Sequence, residues 1–344
     1  MLPPDDVLRS DATRPAPVLL LIFNRPATTR RVLEVLRQAR PARLYVAADG
    51  PRTSHPTDTA NCQAARQLVR ELVDWPCELR TLYRATNLNC GLAPATAIDW
   101  FFQHEPEGII LEDDCVPAPS FFRFCAEMLA RYRHDTRVMH VGGNNFSAEA
   151  RHPLAPGAPS YHFSRQVESW GWATWRRAWQ LYDFQLGSYH ELRRRGALRG
   201  LYSSALETRY RLGKIESVLD LPQPPDVWDY QWHFTVAAHS GLAIVPAVNL
   251  VSNIGFGDDG THTFDFDDEQ AAVPTTDLNF PLHHPAFVLC DRRRDQQRFR
   301  EFLLGRARVK ARKWLARLIP LPALSPTTAP PRPAPVTLAN SLHL

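Results

Sequence analysis

Apolar residues along the first 150 positions alternate between short unbroken runs and stretches where they recur every three or four places. Val18–Phe23 (VLLLIF) and Leu44–Ala48 are unbroken runs, the mark of strands buried on both faces of a parallel sheet. Pro26 predicts a helix start, because its missing N–H is tolerated in a first turn, and that helix runs to about Gln38. The pattern then predicts a helix from Asp58 to Val73, a strand at Glu78–Tyr83 and a helix at Ala95–Gln103. Next come a strand at Gly108–Leu111, a helix at Phe121–Tyr132 and a strand at Val138–Val141. Repeated β-α-β units imply an α/β fold, a mostly parallel twisted sheet flanked by helices and joined by right-handed crossovers. Ligands of such sheets bind beyond the carboxyl ends of the strands.

Three polar clusters fall at predicted strand ends: Asn24-Arg25, Asp49-Gly50 and Glu112-Asp113-Asp114. The third has the most chemical content. Three consecutive carboxylates after Ile109-Ile110-Leu111 repel one another, and packing does not ask for them. A hard cation, Mn²⁺ or Mg²⁺, takes oxygen ligands and binds through one or two carboxylates plus substrate phosphates. Capping of the helix that starts near Pro117–Ser120 is the alternative use of Asp113 or Asp114.

Regular alternation fades after Ser164, where four of the nine tryptophans fall between Trp170 and Trp179. A strand at Leu242–Val245 follows, then the glycine-rich Gly255–His262. Arg292–Leu318 predicts a basic helix with Leu304, Ala311, Leu315 and Leu318 near one stripe, ended by Pro320. From Asp291 onward twelve Lys/Arg stand against three Asp/Glu, a net of +9, which leaves −5 on the first 290 residues. A mildly acidic body therefore carries a basic tail. No basic patch appears elsewhere, which argues against nucleic acid as a partner. The six cysteines show no C-x-x-C pair, so free thiols are expected and zinc is not. Residues 1–17 lack the apolar run of a secretory leader, and no run of about 18 apolar residues occurs, so a cytoplasmic protein is expected.

The ordered series Phe23–Pro26 (FNRP), Ala48–Gly50 (ADG), Leu111–Asp114 (LEDD), Gly171-Trp172 and Trp228-Asp229 resembles the glycosyltransferases of GT-A fold. The nearest likeness is to the N-acetylglucosaminyltransferase I-like group and its soluble bacterial relatives, over residues 17–265. That resemblance implies a flexible N-terminus at 1–16 and one GT-A domain at 17–290. Its nucleotide-sugar-binding half would be 17–150 and its acceptor and lid half 151–290. A basic amphipathic helix at 291–319 and a proline-rich, disordered tail at 320–344 complete the division.

The resemblance also implies roles. Asp49 would accept a hydrogen bond from a uracil base, or serve only as a turn residue. Arg25 would contact the nucleotide, with Asn24 beside it as ligand or helix cap. Gly91 would let the backbone pass close to the donor. Asp114 would ligate the metal, while Glu112 and Asp113 position the ribose, the sugar or metal-bound water. Trp172 would lie near the sugars, with Trp175 and Trp179 structural, and Glu168 would bind acceptor hydroxyls. Asp229 would be the base of an inverting transfer, or a cap of the helix through Trp232–His239. Gly255–His262 would form a lid, from which His262 could reach the metal or diphosphate. The expected partners are a nucleotide-sugar donor, such as a UDP-sugar, and a glycan or lipid-linked acceptor. The basic helix, through Trp314, Leu315 and Leu318, could touch anionic lipid. Two rivals stand beside this reading. One is a nucleotidyltransferase that makes nucleotide sugars, which should carry a glycine-rich basic loop after the first strand. The other is a catalytically silent glycan-binding module.

Overall fold

The computed structural model describes residues 15–152, 154–222, 224–256 and 272–318. Its strands are β1 (Val18–Ile22), β2 (Arg43–Ala48), β3 (Glu78–Tyr83), β4 (Glu107–Glu112), β5 (Cys115–Pro117), β6 (Val138–Gly142), β7 (Tyr161–Ser164), β8 (Trp172–Trp175), β9 (Leu242–Pro246) and β10 (Val251–Asn253). Its helices are α1 (Pro26–Ala39), α2 (Asp58–Leu72), α3 (Asn89–His104), α4 (Pro119–Tyr132), α5 (Arg176–Trp179), α6 (Gly187–Arg194), α7 (Ala205–Leu219), α8 (Asp229–Ala238) and α9 (Arg292–Leu318).

The main sheet runs β3-β2-β1-β4-β8-β6-β9-β7, parallel except for β7 and β8. Its unbroken apolar strands are explained by burial on both faces. Val18, Leu20 and Ile22 join one apolar cluster with α1, α2 and α4, while Leu19 and Leu21 join another with α3, α5 and α8. This is the α/β architecture that the alternation predicts. The chain steps outward from β1 to β2 to β3, then returns to place β4 on the other side of β1. A crevice therefore opens between the ends of β1 and β4, where the strand order reverses.

Four short strands escape the sequence pattern. β5, β7, β8 and β10 span three or four residues each and pair antiparallel, so they show no run long enough to read. β8 corrects the expectation for the tryptophans. Trp175 ends the strand, Trp179 lies in α5, and both are buried in the core. Trp172 is fully buried, stacked between His140 (5.1 Å between ring centres) and Trp228 (5.8 Å), and cannot meet a sugar in this arrangement.

Helix α3 begins six residues before the predicted start. The side-chain oxygen of Asn89 accepts from the N–H groups of Gly91 (2.9 Å) and Leu92 (3.1 Å), which stabilises a first turn ahead of Pro94. Helix α9 matches its predicted extent, but its first turns are docked. Asp295 is buried, and its carboxylate accepts from Ser164, from the Arg165 N–H (3.0 Å) and from Ser203 (2.9 Å). Phe299 is buried beside it, whereas Leu304 and Trp314 are exposed. The side chains of Leu315 and Leu318 lie outside the described residues, as do residues 1–14, the 320–344 tail and His262. All six cysteines are unpaired. Among the described residues no helix is long and apolar enough to cross a membrane.

Candidate functional site

Strands β2, β1 and β4 are parallel neighbours, with Ile22 opposite Ala48 and Leu21 opposite Glu112. Register alone therefore brings Asp49, Phe23–Arg25 and Glu112–Asp114 to one edge. A cavity of about 230 Å³ opens there over an apolar floor that includes Leu21, Ile22 and Ala47. Arg25, Arg52, Arg84, Asp49, Glu112 and Asp113 line its polar walls.

The acids after β4 do not cap the next helix. The residue before α4 is Ala118, and the Ser120 N–H is taken by Asp277 (2.9 Å). Instead, Asp113 accepts from the Phe23 N–H (3.2 Å) and from Arg25, and Asp114 pairs with Arg25 at 2.9 Å. Burial opposes the charge on Arg25, but Asp113, Asp114 and Glu112 outweigh it and raise its pKa. Burial and the neighbouring Asp114 raise that of Glu112, with Arg25 working against them. A guanidinium thus sits where a divalent cation was expected. Among the described residues no group of three or more His, Cys, Asp and Glu side chains could hold a metal ion. Asp114, the expected ligand, is engaged by Arg25, and His262 lies outside the described residues.

Asp49 lines the cavity and is largely committed to its own walls. Its carboxylate accepts from the N–H groups of Gly50 (2.9 Å) and Leu88 (3.0 Å) and from Asn87 Nδ2 (2.9 Å). Burial raises its pKa against the pull of those two backbone amides. Asn24 is neither a cap nor part of the cavity lining, since its Nδ2 donates to Asp58 (2.7 Å) and Arg25 holds the cap position of α1. Gly91 does permit a close approach, but to protein. An added Cβ would lie 1.9 Å from the Pro225 carbonyl oxygen.

Strand β10 returns the chain to this edge by pairing with β5. Ile254 donates to the Asp114 carbonyl (2.9 Å), and a Cβ on Gly255 would lie 2.0 Å from Asp114 Oδ2. The glycine-rich segment therefore starts against the acidic cluster, although residues 257–271 lie outside the described residues.

The 224–229 segment links this edge to a second cavity, also about 230 Å³. Asp226 accepts from the Cys90 N–H (2.7 Å) and lines the first cavity, and three residues later Asp229 lines the second. Asp229 opens α8 at its first helical position, with Trp228 as the cap, so its carboxylate is not the cap. Its charge adds to the upward shifts of both Glu112 and Glu168, and it lines the second cavity. Glu168 lines the second cavity, 3.8 Å from Arg298, and burial raises its pKa. Trp170, half-buried, is the tryptophan that lines this space, its ring edge-on to Phe146 and Phe256.

The structure thus gathers Arg25, Asp49, Glu112, Asp113 and Asp114 at one edge and Glu168 with Asp229 next door. It sets Asn24, Gly91 and Trp172 aside as structural. Arg52, Arg84, Trp170 and the α7 side chains were not singled out from the sequence. Arg52 had a signal in its place just beyond the Asp49-Gly50 strand end; the rest depend on long-range packing.

No protein-family model and no curated protein matches the chain. Among solved structures it is similar to HddC from Yersinia pseudotuberculosis complexed with GMP-PN (9% identical, 47% of this chain and 77% of that one, TM-score 0.28). It is also similar to a UDP-glucose pyrophosphorylase complexed with UDP-glucose (9%, 48% and 79%, TM-score 0.29). A third is the inositol-1-phosphate CTP transferase from T. maritima (8%, 74% and 94%, TM-score 0.35). Likeness at this level carries no argument about activity.

Proposed function

We propose that the protein is a glycosyltransferase of GT-A type that moves a sugar from a nucleotide-diphosphate donor, such as a UDP-sugar, to a hydroxyl of a glycan or lipid-linked acceptor. The observation that supports it is a pair of cavities of similar size joined by the 224–229 segment, with Asp226 on the wall of the first and the carboxylate Asp229 on the wall of the second. One has an apolar floor and arginines that suit a nucleotide diphosphate. The other has the aromatic rings and carboxylates that suit a saccharide.

In this reading Asp229 takes the proton of the acceptor hydroxyl as its oxygen attacks the anomeric carbon. The bond to the diphosphate breaks on the opposite side, and the sugar is inverted. Arg25 meets the charge that develops on the departing phosphates, a role suited to a guanidinium held in place before reaction. Glu112 and Asp113 position the donor. The resemblance calls for Mn²⁺ or Mg²⁺ on Asp114. In the present arrangement that ion would first have to displace Arg25, so no step is routed through it.

Nucleotidyl transfer, the rival that the sequence sets beside this one, is the second reading. Against it, the segment after β1 is Asn24-Arg25-Pro26, with both polar side chains bonded to acids of this chain rather than a glycine-rich basic loop. Screening nucleotide sugars for release of nucleoside diphosphate, with and without Mn²⁺, tests the proposal. Release of pyrophosphate from a nucleoside triphosphate and a sugar phosphate would favour the second reading. A silent glycan-binding module would show neither release. Sedimentation with anionic vesicles tests contact of Trp314 and the basic α9 with lipid.

A further inference from the structure

Residues of both charge signs line the second cavity, and they name its ligand more closely. Glu168 and Asp229 line it, two carboxylates able to accept hydrogen bonds from sugar hydroxyls. To the same lining α7 contributes Arg211 and Lys214, and α9 contributes Arg298, which lies 3.8 Å from Glu168. The rings of Trp170, Tyr210, Tyr230 and Phe302 lie among these charges. A neutral saccharide would use the rings and the carboxylates and leave Lys214 without a partner.

The cations are not all cancelled by the protein. Arg211 binds the buried Glu207 through Nε (2.8 Å) while its guanidinium lies over the Tyr202 ring at 5.1 Å, so its two Nη groups remain for a ligand. Lys214 makes no ion pair among the described residues, although it lines the cavity half-buried. The basic lining extends past the cavity along α9, where Arg306 donates to the Tyr210 hydroxyl (2.9 Å). A ligand that turned a hydroxyl to Asp229 and a negative group to Arg211 and Lys214 would meet groups of both charges at once, and its ring faces would meet the aromatic walls.

We infer that this cavity takes a saccharide bearing a carboxylate or a phosphate, its hydroxyls toward Glu168 and Asp229 and its anion toward Arg211 and Lys214. The inference rests on the glycosyl-transfer reading only in calling that saccharide the acceptor.

The test is a titration of the full chain with methyl glucuronide, glucose 6-phosphate and methyl glucoside, followed by ligand-observed NMR or calorimetry. At least one anionic probe should bind about tenfold more tightly than the neutral glucoside, and added salt should weaken it. Preference for the glucuronide identifies a carboxylate ligand, and preference for the sugar phosphate a phosphate. Lys214→Glu should remove that preference and Lys214→Gln reduce it, while uridine diphosphate binding stays unchanged in both. Equal binding of all three probes, binding of none, or an anion preference untouched by Lys214→Glu would overturn the inference. If nucleotide sugars fail to bind while the anion preference persists, the cavity assignment stands and the glycosyl-transfer reading falls.

Discussion

The two halves of the molecule position their functional groups by different means. In the first, Asp49, Arg25 and Glu112–Asp114 follow directly on β2, β1 and β4, and the parallel register of three adjacent strands sets them side by side. Backbone hydrogen bonds do the placing, and the side chains need only be of the right kind. In the second, Glu168, Trp170, Arg211 and Asp229 come from one loop, a helix side and a helix start, and they meet because rings pack. His140 shows how. It takes the Trp232 N–H on Nδ1 (3.2 Å), donates from Nε2 to the Glu168 carbonyl (3.0 Å) and stacks on Trp172. One imidazole thus connects the buried aromatic cluster to the segment that carries Glu168. A ladder tolerates many side chains, whereas an aromatic cluster depends on each ring, so the second half should be the more fragile under substitution.

Asp229 ends the segment that links the two cavities, and its loss should have the largest effect. Asp229→Asn keeps the shape and removes the base, so turnover should fall by about 10²–10⁴-fold while nucleotide binding holds. Normal transfer by that variant would remove Asp229 from the mechanism and the link between the cavities with it. The tryptophans separate structure from binding within the second half. Trp172→Ala empties a fully buried site and should cost about 3–5 kcal/mol of stability, read from the denaturant midpoint. Trp170→Ala, at a half-buried position, should change stability much less and weaken saccharide binding. Equal destabilisation by the two would mean that the rings form one core with no binding wall.

The same contrast explains what the sequence discloses. Val18–Phe23, Leu44–Ala48 and Ile109–Leu111 are long enough and apolar enough to read as strands, and topology then assigns their ends to a site. So Arg25, Asp49 and Glu112–Asp114 were legible before any coordinates. β7 and β8 were not, because strands of four residues with mixed aromatic and polar content have no period to detect. Trp172 misled for a related reason. Side chains alternate along a strand, and once β8 is known Trp172 and Trp175 fall on opposite faces, each in a different apolar cluster. The pairing of Arg25 with Asp113 and Asp114 spans about ninety positions, and nothing local announces it.

Arg25 probes the first half at its most charged point. Arg25→Ala leaves Asp113 and Asp114 buried without their cation, which should cost about 3–5 kcal/mol and abolish nucleoside diphosphate binding in the absence of metal. If added Mn²⁺ restored both, the acids would be shown to hold a divalent ion once the guanidinium is gone. Unchanged stability would mean that the ion pair does not hold the strand ends together.

Acid should act on the second half through His140. Burial pushes its pKa down to about 3 from an ordinary value near 6.5, so the folded protein keeps it neutral where the unfolded chain is already protonated. The unfolded state then binds more protons between those two values, and stability falls as pH drops through that window while staying flat above it. For this one group the slope is about 1.4 kcal/mol per pH unit. His140→Phe keeps a ring against Trp172 and removes the titration. The variant should be less stable at neutral pH, because the Trp232 N–H and the Glu168 carbonyl lose their partner. Its deficit should then shrink between pH 6 and pH 4 as the wild type weakens. Denaturation curves for the two proteins that ran parallel through that range would show that His140 is not held neutral, and that the aromatic cluster is more open to water than its packing implies.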